Sequence, residues 1–446
     1  MKYQNIIIGG GPAGYTAAEL LGRAGQSVVL FDKKGLGGVC LNEGCIPTKT
    51  LLYSAKMYNQ VRSASKYGVN IDEASFDLGK IISRKTKVVR KLGLGIKARL
   101  SDCGVVIVEG EAFIHNKNEV TCNGERYECE HMIVCTGSST FIPPIPGLED
   151  VDYWTHRDAL NSKELPQSVT IIGGGVIGME FASFYNSLGV DVTIVEMLPE
   201  ILAGMDMELS AALRSIYQKK GVKFHLSSKV TRVMKEGEEL VTEYSNGEEN
   251  NRVISQKILV SVGRKAATEG YGLENLHLGV DDKGKLIVDE YMQSTQEGVY
   301  ICGDMTGVSL LAHTAVREAE VAVHHITGTD DNMSYKSVPS VVYTNPEVAS
   351  VGLSEEVLKA AGFSYRTINL PMAYSGRFVA ENEGINGICK VLIADDDTIL
   401  GVHMLGNPAS ELIVTAVMMI QDERKYTELK HYIFPHPTVG EIYHEL

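Results

Sequence analysis

The sequence is poor in cysteine, in long hydrophobic runs and in basic residues, and each shortage excludes a class of protein. Eight cysteines among 446 residues are too few for a scaffold held together by disulfides. No stretch approaches the roughly 18–20 apolar residues that a membrane-spanning helix needs. The N-terminus shows no basic segment followed by a long apolar one, so we expect no signal peptide and a cytoplasmic location.

Acidic residues outnumber basic ones along the chain. There are 56 aspartates and glutamates against 42 lysines and arginines, and the formal net charge is −14. Such a surface repels a phosphodiester backbone, so nucleic acid is not an expected partner. The charge leaves a basic protein partner open.

Glycine is clustered in two turns that have the pattern of dinucleotide-binding fingerprints. The first turn lies between a predicted strand over 2–8 and a predicted helix over 15–24, the second between a strand over 168–172 and a helix over 179–188. Glycines at this spacing permit a tight turn, close approach of a pyrophosphate, and packing of the helix on the strand. The fingerprint positions are Gly9, Gly11 and Gly14 in the first turn and Gly173, Gly175 and Gly178 in the second. One copy alone could be structural, but two copies about 165 positions apart predict two bound dinucleotides.

An acidic residue ends the strand that follows each turn. These residues are Asp32 and Glu196. A carboxylate at this position accepts a hydrogen bond from a ribose 2′-hydroxyl and repels a 2′-phosphate. The run 196–200 contains no arginine or lysine that could bind such a phosphate. We therefore expect NAD rather than NADP at the second site, and FAD and NAD as the two cofactors.

Two cysteines, Cys40 and Cys45, follow Asp32 closely and should lie near the first nucleotide. The sequence after Cys45 is compatible with a helix, so both thiols are predicted on its first turns, where the helix dipole lowers thiol pKa values. A structural disulfide closing this six-residue loop would contribute only about 2 kcal/mol, against about 4.7 for a 100-residue loop. A metal pair usually has further ligands nearby, and the next residues offer none. A redox-active pair is favoured, the structural and metal alternatives stay open, and no metal site is predicted.

The stretch 37–49 resembles the redox-disulfide motif of the class I pyridine nucleotide-disulfide oxidoreductases, a family of flavoproteins. The resemblance runs almost end to end and includes the segments 133–138, 262–264, 300–304, 311–313, 343–349 and 436–441. Three details are similar to the branch that oxidises dihydrolipoamide: Ile-Pro-Thr-Lys after Cys45, Ile177 where glutathione reductases tend to carry tyrosine, and Glu196 without a nearby arginine. Two details depart from the family: Lys265-Ala266-Ala267 replaces a basic residue, Pro and Asn, and Phe434 stands where many relatives have another histidine.

The resemblance implies catalytic roles for four residues. Cys40 would exchange with the sulfur of the substrate, and Cys45 would lie against the flavin. His436 would take up and return the thiol proton, for which histidine is suited by its ordinary pKa of about 6.5. Glu441 would fix the orientation of that imidazole.

The resemblance also implies cofactor contacts outside the fingerprints. Lys49 and Glu180 would pair near the reactive nitrogen of the flavin, and Asp304 would bind the ribityl chain. Ala312 would contribute backbone contacts. The remaining implied cofactor-binding positions are Ala112, Val230 and Gly263.

The implied architecture is an α/β protein with two doubly wound, Rossmann-like dinucleotide-binding domains and a C-terminal α+β interface domain. The predicted boundaries are 1–142 for the FAD domain, 143–260 for the NAD domain, 261–336 for a central domain that completes the FAD site, and 337–446 for the interface domain. A homodimer is expected, because relatives use the last domain for dimerisation.

The implied reaction is oxidation of protein-bound dihydrolipoamide through a Cys40–Cys45 disulfide and FAD, with reduction of NAD⁺. The lipoyl group would belong to a protein of a 2-oxo acid dehydrogenase or glycine cleavage complex. Two alternatives stay open: an NAD(P)H-dependent reductase of a small disulfide or mercuric ion, and a flavin-binding subunit without turnover. The tail 443–446 lacks the vicinal cysteines usual in mercuric reductases.

Overall fold

The structure is a computed structural model that describes residues 1–247 and 249–446. These residues form two compact units, each built from three separate segments. The first unit comprises Met1–Thr50, Ser83–Phe141 and Gly263–Ser334, and the second comprises Leu51–Ile82, Ile142–Val262 and Tyr335–Leu446. The predicted four-domain division stays a prediction. Among the residues described, no helix has the length and apolarity needed to span a membrane.

Helices and strands alternate over much of the chain. The α-helices are α1 (Pro12–Arg23), α2 (Gly38–Glu43), α3 (Cys45–Arg62), α4 (Leu78–Asp102), α5 (His156–Asn161), α6 (Val176–Ser187), α7 (Met207–Lys219), α8 (Ala312–Thr327), α9 (Glu355–Ala361), α10 (Gly376–Glu381) and α11 (Ala409–Gln421). The first strands are β1 (Asn5–Ile8), β2 (Val28–Asp32), β3 (Val106–Glu109), β4 (Phe113–Asn116), β5 (Glu119–Cys122), β6 (Glu125–Glu128), β7 (His131–Val134), β8 (Ser138–Thr140), β9 (Ser168–Ile172), β10 (Asp191–Val195) and β11 (Lys223–His225). The later strands are β12 (Lys229–Glu236), β13 (Glu239–Ser245), β14 (Asn250–Ser255), β15 (Lys257–Val260), β16 (Arg264–Ala266), β17 (Val299–Ile301), β18 (Ser340–Val342), β19 (Val348–Gly352), β20 (Tyr365–Pro371), β21 (Ile388–Ala394) and β22 (Ile399–Leu405).

The first unit is centred on a five-stranded parallel sheet with the order β17-β7-β1-β2-β3. Every residue of β1 and β2 is buried, as expected for parallel strands covered on both faces. The strand order reverses between β1 and β7. In doubly wound sheets, ligands bind beyond the carboxyl ends of the strands at such a reversal, and the first glycine turn lies there.

The second unit repeats this arrangement in a four-stranded parallel sheet with the order β11-β10-β9-β15. The reversal lies between β9 and β15, beside the second glycine turn. The antiparallel meander β12-β13-β14 packs on this sheet through a shared apolar core. The predicted strand over 168–172 matches β9, whereas α6 begins at Val176, earlier than predicted. Likewise α1 begins at Pro12, because proline fits the first turn of a helix without losing a bonded N–H.

The C-terminal part of the second unit has a different construction. Its sheet is antiparallel, in the order β18-β19-β22-β21-β20, and α11 packs on β19 and β22. Short helices and loops complete its core. These observations confirm the predicted fold class, with two parallel-sheet units of the Rossmann type followed by an α+β tail.

Candidate functional site

The first glycine turn has the geometry of a pyrophosphate cradle. Gly9 has φ +108°, and a side chain there would clash with the carbonyl oxygen of Cys135 at 2.3 Å. A Cβ at Gly14 would lie 1.8 Å from the Gly9 oxygen, so this glycine allows α1 to pack on β1. Gly11 faces open space, with its nearest neighbour, Gly38, 3.9 Å from the position of a Cβ. Gly11 also precedes α1 without a side-chain cap, so the helix N-terminus keeps donors for an anion.

The acidic residue at the end of β2, which lies beside the first turn, is held in place by backbone hydrogen bonds. Asp32 is buried and accepts hydrogen bonds from the Gly10 nitrogen at 2.7 Å through Oδ2, and from the Lys34 and Gly35 nitrogens through Oδ1. The carboxylate is thereby fixed at the end of β2, beside the turn.

The second turn reproduces the first at every fingerprint position. Gly173 has φ +102°, a Cβ at Gly178 would lie 2.1 Å from the Gly173 oxygen, and Gly175 has open space around it. Glu196 is buried and accepts from the Gly174 nitrogen at 2.6 Å through Oε2 and from the Leu198 nitrogen at 2.8 Å through Oε1. The two cradles fit two dinucleotides.

The cysteine segment packs directly on the first turn. The Gly37 nitrogen donates to the Gly10 oxygen at 2.8 Å, and a Cβ at Gly38 would lie 2.7 Å from the Gly11 Cα. Cys40 and Cys45 are both half-buried. The segment therefore adjoins the first nucleotide cradle.

The expected placement of both thiols on one helix is wrong. Cys40 lies within α2, whereas Cys45 is the first residue of α3, and Gly44 between them has non-helical dihedrals, φ −141° and ψ −106°. On one continuous helix, residues five apart would point about 140° away from each other. The break at Gly44 removes this restriction.

Asp304 is oriented by a polar network of the first unit. The Ser138 hydroxyl donates to the Asp304 carboxylate. Arg264 donates from Nε to the Ser138 hydroxyl and from Nη2 to the Ser138 carbonyl, each at 2.7 Å, and its guanidinium lies 3.9 Å from Asp304. Ser138 and Arg264 lie in the motif segments 133–138 and 262–264, but the sequence does not show their contacts locally. Ser138 is 166 residues from Asp304 along the chain, and Arg264 is 126 residues from Ser138.

The other implied cofactor residues have the following positions. Lys49 is half-buried on α3, in the part of this helix that belongs to the first unit. Glu180 is buried on α6 of the second unit, where it accepts from the Tyr343 nitrogen at 3.1 Å. Their mutual pairing stays a prediction. Ala312 opens α8, Ala112 and Val230 are buried, and Gly263 has φ +120°. Their cofactor contacts also stay predictions.

The structure brings His436 and Glu441 together. His436 Nδ1 lies 2.7 Å from Glu441 Oε1, and Glu441 Oε2 accepts from the Thr438 nitrogen at 2.8 Å. These two hydrogen bonds, the one from Thr438 first, lower the pKa of the Glu441 carboxyl below its ordinary value. Because the carboxylate only accepts, Nδ1 carries the proton and Nε2 is left as a base. The His436 side chain is 79% exposed, so Nε2 is available to another molecule.

Comparison with known proteins gives full-length matches. Residues 3–319 match the pyridine nucleotide-disulphide oxidoreductase family, and residues 338–446 match its dimerisation domain. The chain is 36% identical to a dihydrolipoyl dehydrogenase of Thermus scotoductus over 98% of this chain and 95% of that protein. It is 36% identical to a dihydrolipoyl dehydrogenase of Mycoplasma pneumoniae over 99% and 97%.

A solved structure agrees with these matches. The HOCl-induced flavoprotein disulfide reductase RclA from Escherichia coli superposes with a TM-score of 0.88 at 28% identity, over 100% of this chain and 99% of that chain. The dimerisation domain supports a homodimer. The chain thus belongs to the pyridine nucleotide-disulphide oxidoreductase family, and it is a flavoprotein disulfide oxidoreductase with FAD and a pyridine nucleotide as cofactors.

Proposed function

We propose that this enzyme oxidises protein-bound dihydrolipoamide to lipoamide and reduces NAD⁺ to NADH. The observation that carries the proposal is the 2.7 Å hydrogen bond between His436 and Glu441, which prepares a base for thiols. The two relatives above, named dihydrolipoyl dehydrogenases and matched nearly end to end, support the same reaction. The lipoyl group would be carried by a protein of a 2-oxo acid dehydrogenase or glycine cleavage complex, and the location would be cytoplasmic.

The residues would act in thiol–disulfide exchange. His436 Nε2 takes a proton from one substrate thiol, and the resulting thiolate attacks the Cys40 sulfur of a Cys40–Cys45 disulfide. Cys45 leaves as a thiolate, and the second substrate thiol then attacks the substrate sulfur bound to Cys40. Its proton passes to Cys40, which leaves as a thiol, and the substrate closes as a disulfide. The electron pair now resides on the cysteine pair. FAD, when bound, supplies the chemistry that passes this pair to NAD⁺ as a hydride.

The cofactor assignment follows the order of the two cradles. FAD would occupy the first, because the cysteine segment packs on it, and NAD the second. The Glu196 carboxylate is buried and already fixed by two backbone donors, so a 2′-phosphate would meet a negative charge that cannot turn away. Lys49 and Glu180 would pair near the reactive flavin nitrogen, and Asp304 would bind the ribityl chain.

Each active site would be shared by two subunits. The thiols lie near the start of the chain, whereas His436 lies exposed in the dimerisation domain. In a two-fold dimer, His436 of one chain would face the thiols of the other.

Complementation tests this sharing. Cys45→Ser and His436→Ala should each be nearly inactive alone. Random re-pairing of equal amounts makes about half the dimers mixed, and each mixed dimer has one intact site, so about a quarter of all sites should recover. Verified mixed dimers without recovered activity would show that each site lies within one chain.

A second candidate is an NADH-dependent reductase of a small disulfide. The likeness to RclA, whose name is disulfide reductase, favours it, because the same cysteine pair can run in the opposite direction. Purified enzyme should be compared in two assays: NAD⁺ reduction with free dihydrolipoamide, and NADH oxidation with glutathione disulfide. A much larger kcat/KM in the second assay would contradict the proposed function.

A further inference from the structure

A single peptide group in each glycine turn is held at both ends. In the first turn it is the peptide between Gly9 and Gly10, whose N–H donates to Asp32. The carbonyl oxygen of the same peptide, on Gly9, lies 3.2 Å from the Cys135 sulfur. Burial raises the pKa of the Cys135 thiol well above its ordinary value, so the sulfur keeps its proton and can donate it.

The second turn has the same arrangement with a hydroxyl in place of the thiol. The peptide between Gly173 and Gly174 donates its N–H to Glu196 at 2.6 Å. Its carbonyl oxygen lies 3.0 Å from the Ser261 hydroxyl.

Cys135 and Ser261 occupy equivalent places in the two sheets. Each is the first residue after the strand across the reversal, β7 or β15. Each backbone nitrogen donates at 2.9 Å to the last residue of the central strand, Ile8 or Ile172. Each side chain also lies near that same carbonyl, at 3.4 Å for the thiol and 3.2 Å for the hydroxyl. The arrangement is therefore repeated by the fold, with only the donor atom changed.

The peptide joins two groups that lie on opposite sides of the turn. A donor at the carbonyl oxygen polarises the peptide and strengthens the hydrogen bond that its N–H makes. It also resists rotation of the peptide plane, which would move the next amides away from the pyrophosphate. The donor thereby acts on the nucleotide through the peptide and the acid.

We propose that Cys135 and Ser261 are positioning residues for the two nucleotides, each acting through a relay of donor, turn peptide and ribose-binding carboxylate. The proposal rests on the proposed ribose role of Asp32 and Glu196. It assigns Cys135 to the FAD cradle and Ser261 to the NAD cradle.

The second cradle gives the cleaner test, because NADH binds reversibly to the holoenzyme. Oxidation of NADH by ferricyanide reports this step without a dithiol substrate. Ser261→Ala should raise KM for NADH by up to about fivefold, the limit reached when the whole net contribution of one hydrogen bond, about 1 kcal/mol, is lost from the nucleotide-bound state. It should leave kcat and the FAD content within about twofold, because the lost interaction is equal in ground and transition states. Ser261→Cys should restore KM, because the first cradle uses a thiol.

A matched control removes another hydroxyl, at the end of β14 in the adjoining antiparallel meander. Ser255 is buried and bonds to Thr170 and to the Lys257 carbonyl, away from the turn. Ser255→Ala should lower the melting temperature without raising KM for NADH. Should Ser261→Ala fail to fold, Ser261→Gly also removes the donor and replaces it in the test.

The first cradle gives an independent test. Cys135→Ala should raise the dissociation constant of FAD by less than about fivefold, because a thiol is a weaker donor than a hydroxyl, and leave KM for NADH unchanged. Cys135→Ser should restore FAD affinity.

Three results would overturn the relay: an unchanged KM in Ser261→Ala, an equal rise in Ser255→Ala, or no rescue by cysteine. Glu196→Gln distinguishes failure of the relay from failure of the ribose-binding role of Glu196, on which the relay rests. If Glu196→Gln raises KM and Ser261→Ala does not, the relay is wrong and the ribose role stands. If neither changes KM, both are wrong.

Discussion

Lys390 offers a quantitative test of how the dimerisation domain is held to the nucleotide-binding domain. Its side chain is 1% exposed, and its ammonium lies 2.9 Å from Asp206, 3.0 Å from Glu208 and 2.7 Å from Glu355. Burial alone would lower the pKa of Lys390, but hydrogen bonds to Glu355, Asp206 and Glu208 raise it above its ordinary value. Lys390 is therefore a buried cation that depends on its carboxylates.

Lys390→Met should destabilise the protein because it leaves Asp206, which is fully buried, without its cation. Removing one partner of a buried ion pair costs about 3–5 kcal/mol. An unfolding entropy of about 2.1 cal/mol/K per residue gives about 1 °C per kcal/mol for a chain of 446 residues, so the melting temperature should fall by roughly 3–5 °C. Circular dichroism at fixed protein concentration measures the shift. Adding Asp206→Asn should recover part of the loss, because asparagine keeps the N-cap of α7 and removes the unpaired charge.

The matched control is Lys359→Met. Lys359 pairs with the same Glu355 at 3.6 Å, but its side chain is 64% exposed, so the loss should be at most about 1 kcal/mol. Equal shifts for Lys390→Met and Lys359→Met, or a double variant no more stable than Lys390→Met, would refute the reasoning.

Four further outcomes are expected. Cys45→Ser should abolish the long-wavelength thiolate–flavin absorbance of the reduced enzyme, whereas Cys40→Ser should keep it and block substrate exchange; the reverse pattern would mean exchanged roles. Glu196→Ala should narrow the preference for NADH over NADPH in kcat/KM, and equal use of both by the unaltered enzyme would contradict this role. Glu441→Gln should lower kcat about 10–100-fold, because the imidazole loses the carboxylate that fixes its tautomer and orientation; an unchanged kcat would exclude the pair. Hydrogen bonding from Lys390 lowers the pKa of the Glu355 carboxyl to about 2. The stability that the ionised Glu355 contributes should therefore be complete above pH 4.5, its ordinary pKa, and lost as the pH falls toward 2, and acid unfolding measures this loss.

Features encoded within short stretches were predictable from the sequence. Each glycine turn, with its flanking strand, helix and acid, lies within about 30 residues, so spacing alone located it. The error in the cysteine segment was also local. The prediction placed Cys40 and Cys45 on one helix, whereas Gly44 separates α2 from α3. A glycine within six residues does not reveal whether a helix bends, ends or restarts.

Features that depend on distant partners were not predictable. Lys390 lies in an apolar strand, and its partner Glu355 is 35 residues away on another element. Asp304 was identified only by family resemblance, and its orienting partner Ser138 is 166 residues away. The pairing of His436 with Glu441 could be predicted, because the two residues are only five positions apart in the sequence. Its role as an acid–base pair could be assigned only from the family resemblance.

The two cradles also show how one arrangement serves two different chemical tasks. The same interval of 164 positions separates Gly10 from Gly174 and Asp32 from Glu196. Gly10 and Gly174 each lie between the first two fingerprint glycines of their turn. Each carbonyl accepts a hydrogen bond from a later residue, Gly10 from the Gly37 nitrogen at 2.8 Å and Gly174 from the Leu202 nitrogen at 3.0 Å. After this hydrogen bond, which both copies share, the two copies differ in structure. After Gly37 the first copy forms α2 and the cysteine pair against the turn, whereas the second copy leads from Leu202 into α7 and carries no cysteine there. A thiol pair therefore adjoins one cradle only, which is the asymmetry that the proposed transfer of electrons from a dithiol through FAD to NAD⁺ requires.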